Sequence, residues 1–155
     1  ANYENFWQRE NEHGHSTASA WVVDDAQSKV LLTHHKKLDI WVQLGGHIEE
    51  EDTDIYAACR RELIEESGLT DFEQLSSAVF DIDVHSIPLS KKGIPAHFHY
   101  DIRLLFRGDS RQKPIFDIQE SNQVAWIDLN QIVNYSNEVS VIRMVKKSLI
   151  NFFSI

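Results

Sequence analysis

Cysteine is almost absent: Cys59 is the single one in 155 residues. No intramolecular disulfide can form, and the composition fits a reducing, cytoplasmic compartment. Proline numbers three and glycine six, and the chain shows no internal repeat, low-complexity tract or linker. No apolar run approaches the roughly 18 residues of a membrane span. The stretch Asn2 to His15 is polar and mixed in charge, unlike a signal peptide. Positive charge is short as well, with 15 Lys and Arg against 24 Asp and Glu, a formal net charge of −9. That balance argues against non-specific binding to nucleic acid polymers or anionic membranes. A phosphorylated small molecule remains compatible where metal ions neutralise the site. What is present suits one domain over 1–155. At 42% hydrophobic and 25% charged, the chain can bury a sizeable core.

Acids crowd the end of one expected helix. The stretch Ala57-Ala58-Cys59-Arg60-Arg61-Glu62-Leu63-Ile64-Glu65-Glu66-Ser67-Gly68-Leu69 places Gly68 just past a helix C-terminus. Glu62, Glu65 and Glu66 stand at i, i+3 and i+4 and share a face. The helix dipole disfavours negative charge there, and each like-charged i,i+4 pair costs about 0.2–0.5 kcal/mol. A solvated face paired with Arg60 and Arg61 is the plain reading. The sharper one is a cation held by oxygen ligands, magnesium or manganese before zinc.

The surrounding pattern alternates strands and helices. Ala18 to Val23 and Lys29 to Thr33 read as a hairpin across Asp24–Ser28. Ile40 to Leu44 reads as a strand ended by Gly45-Gly46, and His47 to Asp54 as an acidic loop. The acidic helix runs from Thr53 or Asp54 to Ser67, with Ile55, Cys59 and Leu63 as its buried stripe. Ala78 to Ile87, Ala96 to Phe106 and Val124 to Ile127 read as strands. Pro88 to Pro95 is a loop with Lys91-Lys92-Gly93 at its tip. Val139 to Phe153 is an amphipathic helix with Ile142, Val145, Leu149 and Phe152 inward and Lys146 and Lys147 outward. These elements suggest a mixed α/β sandwich.

Two pieces read together resemble a known family. Gly45-Gly46-His47-Ile48-Glu49 and Arg61-Glu62-Leu63-Ile64-Glu65-Glu66-Ser67-Gly68-Leu69 are similar to the signature of Nudix hydrolases, G-x5-E-x7-R-E-U-x-E-E-x-G-U, with U bulky and apolar. The second half matches in full. The middle carries one extra residue, since fifteen positions separate Gly46 from Arg61 where the pattern has fourteen. The expected loop Glu falls on Asp52 or on Thr53, and either Asp52 or Asp54 is a candidate replacement. Leu44 stands where the family commonly has Pro. The hairpin before the box, and Glu120-Ser121-Asn122-Gln123-Val124-Ala125-Trp126-Ile127 after it, also look similar to the family.

The resemblance implies a Nudix-type α/β/α sandwich with a mixed sheet and a strand–loop–helix metal-binding motif. It implies a divalent-metal-dependent hydrolase that cleaves a diphosphate bond in a nucleoside diphosphate linked to another moiety. Carried over by position, Glu62, Glu65 and Glu66 with the Gly46 carbonyl hold Mg2+ or Mn2+. Arg61 orients a loop carboxylate, and Glu62 and Glu120 are the candidates for general base. A homodimer is a family-level expectation. Two alternatives stand beside it. One is a binding module that holds a nucleotide or nucleotide-sugar without turnover. The other is an isoprenoid diphosphate isomerase, which needs a reactive Cys that the buried stripe does not offer at Cys59.

Some polar and aromatic residues stay open to two readings. His97, His99, Asp101 and Arg103 share one strand face, either a substrate lining or a solvated surface. Zinc on His97 and His99 lacks an evident third ligand nearby. His34-His35-Lys36-Lys37 is either a phosphate contact or a solvated turn. Trp41 is a candidate base partner, although it and Trp126 suit a core equally well.

Overall fold

The computed structural model describes residues 11, 13–90 and 93–153, with side chains described as far as 150. Asn2 to Glu10, the Lys91-Lys92 loop tip and the Phe152 side chain, all used above, lie outside the described residues. The remainder forms a mixed sheet of eight strands with one helix on each face. In chain order the elements are β1 (Gly14–Asp24), β2 (Lys29–His35), β3 (Ile40–Val42), β4 (Leu44–His47), α1 (Ile55–Ser67), β5 (Phe72–Gln74), β6 (Asp81–Ile87), β7 (His97–Gly108), β8 (Ser121–Asp128) and α2 (Val139–Phe153). A 3-10 turn at Leu129–Asn134 joins β8 towards α2. No described helix is long and apolar enough to cross a membrane.

Two long parallel strands organise the sheet. β1 and β7 pair from Gly14↔Phe98 to Asp24↔Gly108. Short antiparallel strands then share their outer edges. On β1 the first half pairs with β4, from Thr17↔His47 to Ala20↔Leu44, and the far end pairs with β2 at Val22↔Leu31. On β7 the edge is divided between β6 and β5. Every residue of β1 is therefore buried, as expected of a strand covered on both faces and both edges.

Alternation along the strands separates two cores. Ala18, Ala20, Val22, Leu104 and Phe106 pack on the α1 side with Cys59 and Leu63. Trp21, Val23 and Leu105 pack on the α2 side with Val141, Met144 and Val145. The α2 stripe is thus rotated from the expected one: Leu149 is 36% exposed and Ile142 only half-buried. Polar contacts set this rotation. Ser148 accepts the Trp21 indole N–H at 2.9 Å, and Lys147 turns inward to the Phe80 carbonyl and Asp81.

Other boundaries moved for local reasons. β1 begins four residues before the apolar run, because His15, Ser16 and Thr17 continue the ladder with polar side chains. β5 has too few residues to show a pattern in the sequence, and β6 starts at Asp81 rather than Ala78. The glycine pair does not end its strand. Gly45 and Gly46 lie inside β4, opposite Ser19 and Ala18.

Candidate active site

The helix α1 is fixed at both ends by its own sequence. Asp54 caps the start, accepting the Ala57 N–H at 2.8 Å, and Gly68 ends it at φ +67° with its N–H on the Ile64 carbonyl. Asp54 is thereby a cap and not the loop carboxylate. Asp52 takes that role. Arg61 Nε donates to Asp52 Oδ1 at 3.1 Å and its Nη2 to Asp52 Oδ2 at 2.8 Å, a two-pronged pairing. The hydrogen bond from Arg61 holds the Asp52 carboxyl below its ordinary range.

The same guanidinium ties the motif together. Its Nη2 also donates to the His47 carbonyl at 2.8 Å, and its Nη1 to Glu62 Oε1 at 2.9 Å and Glu65 Oε2 at 3.0 Å. One side chain therefore locks the end of β4, the acidic loop and the acid face of α1. The extra loop residue leaves this clamp intact.

Beneath the glycine pair lie two acids. Gly45 donates its N–H to Glu66 Oε2 at 2.8 Å. A Cβ at Gly46 would fall 2.5 Å from Glu62 Oε1, so the absent side chain is what admits Glu62 against the strand. Burial pushes the Glu66 carboxyl up to about 8, against the pull of the Gly45 N–H and with help from Glu62 and Glu120. Burial raises Glu62 too, opposed by Arg61. Glu65 is exposed at the rim. These acids border an open cleft of about 530 Å³, with Glu120 facing from the loop before β8 and Lys36 and Lys37 from the β2–β3 turn.

The structure thus brings Gly46, Arg61, Glu62, Glu65, Glu66 and Glu120 to one cleft. It also draws in His35, Lys36 and Lys37, which the sequence left between phosphate contact and solvated turn. The carboxylates gathered at the cleft are oxygen donors and negative, which fits a hard divalent ion. Glu49 and Gln119 line the cleft without having been singled out. Glu49 stood in the motif's loop without a signature position to mark it.

Other candidates stand elsewhere. Trp41 is half-buried on the α2-side core, stacked on His34 with ring centres 5.1 Å apart and edge-on to Tyr135. Arg103 is 2% exposed and fully engaged: it donates to Asp101 at 2.7 Å, Asp81 at 3.2 Å and Ser140 at 3.2 Å. It is a buried structural cation outside the cleft, because an arginine so surrounded has no donor left for a phosphate. His97 and His99 lie on the α2 face of β7, opposite the acids. Cys59 is fully buried, its thiol donates to the Ser19 carbonyl at 3.2 Å, and burial pushes it up to about 12. Such a thiol is no acid or nucleophile, which removes the isomerase alternative.

Similarity to known proteins agrees with this geometry. The family model of the NUDIX domain matches residues 13–147. No curated protein matches the sequence. Among solved structures, a NUDIX family hydrolase from Clostridium perfringens is 24% identical with a TM-score of 0.67, covering 88% of this chain and 97% of that one. An Ap4A hydrolase of C. elegans, solved as a binary complex, is 14% identical with a TM-score of 0.71, covering 90% and 98%. The NUDIX domain of Shewanella oneidensis NrtR, solved with ADP ribose, is 18% identical with a TM-score of 0.62, covering 98% and 99%. These low identities speak to the shared fold, and the domain match over most of the sequence carries the assignment: the chain belongs to the Nudix hydrolase family.

Proposed function

We propose that this enzyme hydrolyses a diphosphate bond in a nucleoside diphosphate linked to another moiety, and that it needs a divalent ion, Mg2+ or Mn2+. The observation that carries the reading is the pair of acids, Glu62 and Glu66, packed beneath Gly45-Gly46 in an open cleft. Glu62, Glu65, Glu66 and the Gly46 carbonyl would hold the ion. Bound there, it would neutralise diphosphate charge and make a bound water more acidic.

The chain's own groups have separate tasks. The Gly45 N–H fixes Glu66. Arg61 fixes Glu62 and Glu65 while anchoring the loop through Asp52. Lys36 and Lys37 put positive charge on the rim where substrate phosphates enter. Water attacks phosphorus in line, the P–O bond to the leaving phosphate breaks, and Glu62 or Glu120 takes the water's proton.

A pure binding module is the other reading. The intact Arg61–Asp52 clamp argues against it, since a carboxylate still occupies the one motif position that departs in sequence. The deciding experiment is a turnover assay in Mg2+ over a panel containing ADP-ribose, a dinucleoside polyphosphate and a nucleotide-sugar. Metal-dependent release of a nucleoside monophosphate or diphosphate supports the hydrolase. Binding of these compounds with no hydrolysis of any supports the module.

A further inference from the structure

The sheet places a group of histidines on the face opposite the acids. His15 of β1 and His99 of β7 are cross-strand partners, and so are His99 and His85 of β6. His97 precedes His99 by two residues on the same face. His47 pairs with Thr17, one step diagonal to His15. Directly opposed side chains in a sheet lie about 5 Å apart, so this register alone gathers the imidazoles. Ring centres of His15 lie 4.6 Å from His99, 5.1 Å from His47 and 5.1 Å from His97. Sequence spacing showed only the His97–His99 pair; His15 and His47 arrive on strands far away in the chain.

We infer that His15, His47 and His99 form a site for a borderline divalent transition ion, zinc foremost, on the sheet face opposite the carboxylates, with His47 bordering their cleft as well. One ligand nitrogen from each of the three lies within 4.8 Å of the others. Zinc bound tetrahedrally at about 2.0–2.1 Å sets its nitrogens about 3.4 Å apart, so closure takes a ring movement on the order of 1 Å within one rotamer well. His15 is 2% exposed, and His47 and His99 are half-buried. Three imidazoles leave a fourth position to solvent or a ligand.

Hydrogen bonds around the group orient one of its rings. His97 is placed to steer His99. Its Nδ1 lies 2.8 Å from the Pro95 carbonyl and its Nε2 3.2 Å from His99 Nε2. With Nδ1–H donating to Pro95, His97 Nε2 accepts from His99 Nε2–H, and His99 Nδ1 carries the lone pair. Such outer hydrogen bonds orient metal-binding imidazoles. His47 links the two faces, with its ring on this one and its carbonyl on Arg61.

The test uses the full chain equilibrated with Zn2+ in excess Mg2+, which saturates oxygen sites and competes poorly for imidazole. Retained zinc is measured by elemental mass spectrometry, with folding checked by circular dichroism. Wild type and Glu66→Gln should retain a single zinc ion, as should His85→Gln at the edge of the group. His99→Gln and His47→Gln should bind it roughly 100-fold more weakly. The visible spectrum of the Co2+-loaded wild type should show the intense bands of low-coordinate nitrogen ligation, a readout that needs no variant. Wild type that retains no zinc, or His47→Gln and His99→Gln that retain as much as wild type, would overturn the site. So would loss of zinc in Glu66→Gln alone, which would place the ion among the carboxylates.

Discussion

Glu66 is a buried acid whose proton the fold retains up to about pH 8. If it holds a metal ion, Glu66→Gln should abolish Mg2+-dependent turnover while leaving the metal-free protein at least as stable as wild type, because a neutral amide spares the buried site the cost of ionisation and can still accept the Gly45 N–H. Steady-state rates and thermal unfolding of the two proteins check both halves. Asp52 and Asp54 divide more sharply. Asp52→Ala removes the Arg61 clamp, and turnover should fall by roughly 10–100-fold. Asp54→Ala removes a helix cap, which should lower stability by about 1 kcal/mol with turnover close to wild type. A turnover loss of equal size in both variants would contradict this assignment. The sequence left these two residues undecided because counting from Gly46 and from Arg61 gives different answers. Only the Arg61 geometry separates a clamp from a cap.

At the scale of elements, β4 and α1 form one device. Gly46 lets Glu62 approach the strand, and Glu62 is a flexible side chain that yields if a methyl group arrives. Gly46→Ala should therefore reduce turnover strongly with a small change in melting temperature. A large stability loss would mean that Glu62 cannot move aside. The acid helix was readable from its spacing and closing glycine, and so was the need for a glycine bend beside it. The role of that bend was not. Glycines usually end strands, yet here they continue one, pairing with Ser19 and Ala18 so that the backbone runs over the acids. The polar face of β7 was legible as a stripe and illegible as a place. Its partners arrive through the parallel pairing with β1, which no local pattern reports. That pairing buries Arg103 and Asp101 and groups His97 and His99 with His15.

The whole molecule rests on ionic and titrating groups as well as on its two apolar cores. Burial alone would raise Asp81, but Arg143 and Lys147 outweigh it and hold the carboxyl below its ordinary range. Arg103 shares that carboxylate from inside the sheet. Arg103→Met leaves the buried Asp101 with only the neutral donors Thr17, Ser19 and Gln43, and should destabilise the fold by about 3–5 kcal/mol in denaturant unfolding. Stability in chelator should also follow pH in two parts. Glu66 is raised from 4.5 to about 8, so between those values the folded chain holds the extra proton and stability falls as pH rises. His99 is lowered from 6.5 to about 3, so over that interval the unfolded chain holds the extra proton and stability rises with pH. The two oppose each other up to 6.5, and above it Glu66 acts alone. Metal-free protein should then lose stability from about pH 6.5 to 8, and Glu66→Gln should flatten that loss.

Anomalous diffraction from crystals soaked in Mn2+ tests the central claim most directly. The expected result is a peak bounded by Glu62, Glu66 and the Gly46 carbonyl. Those carboxylates turned out to solvent in ample Mn2+, with no peak between them and the glycine strand, would contradict it.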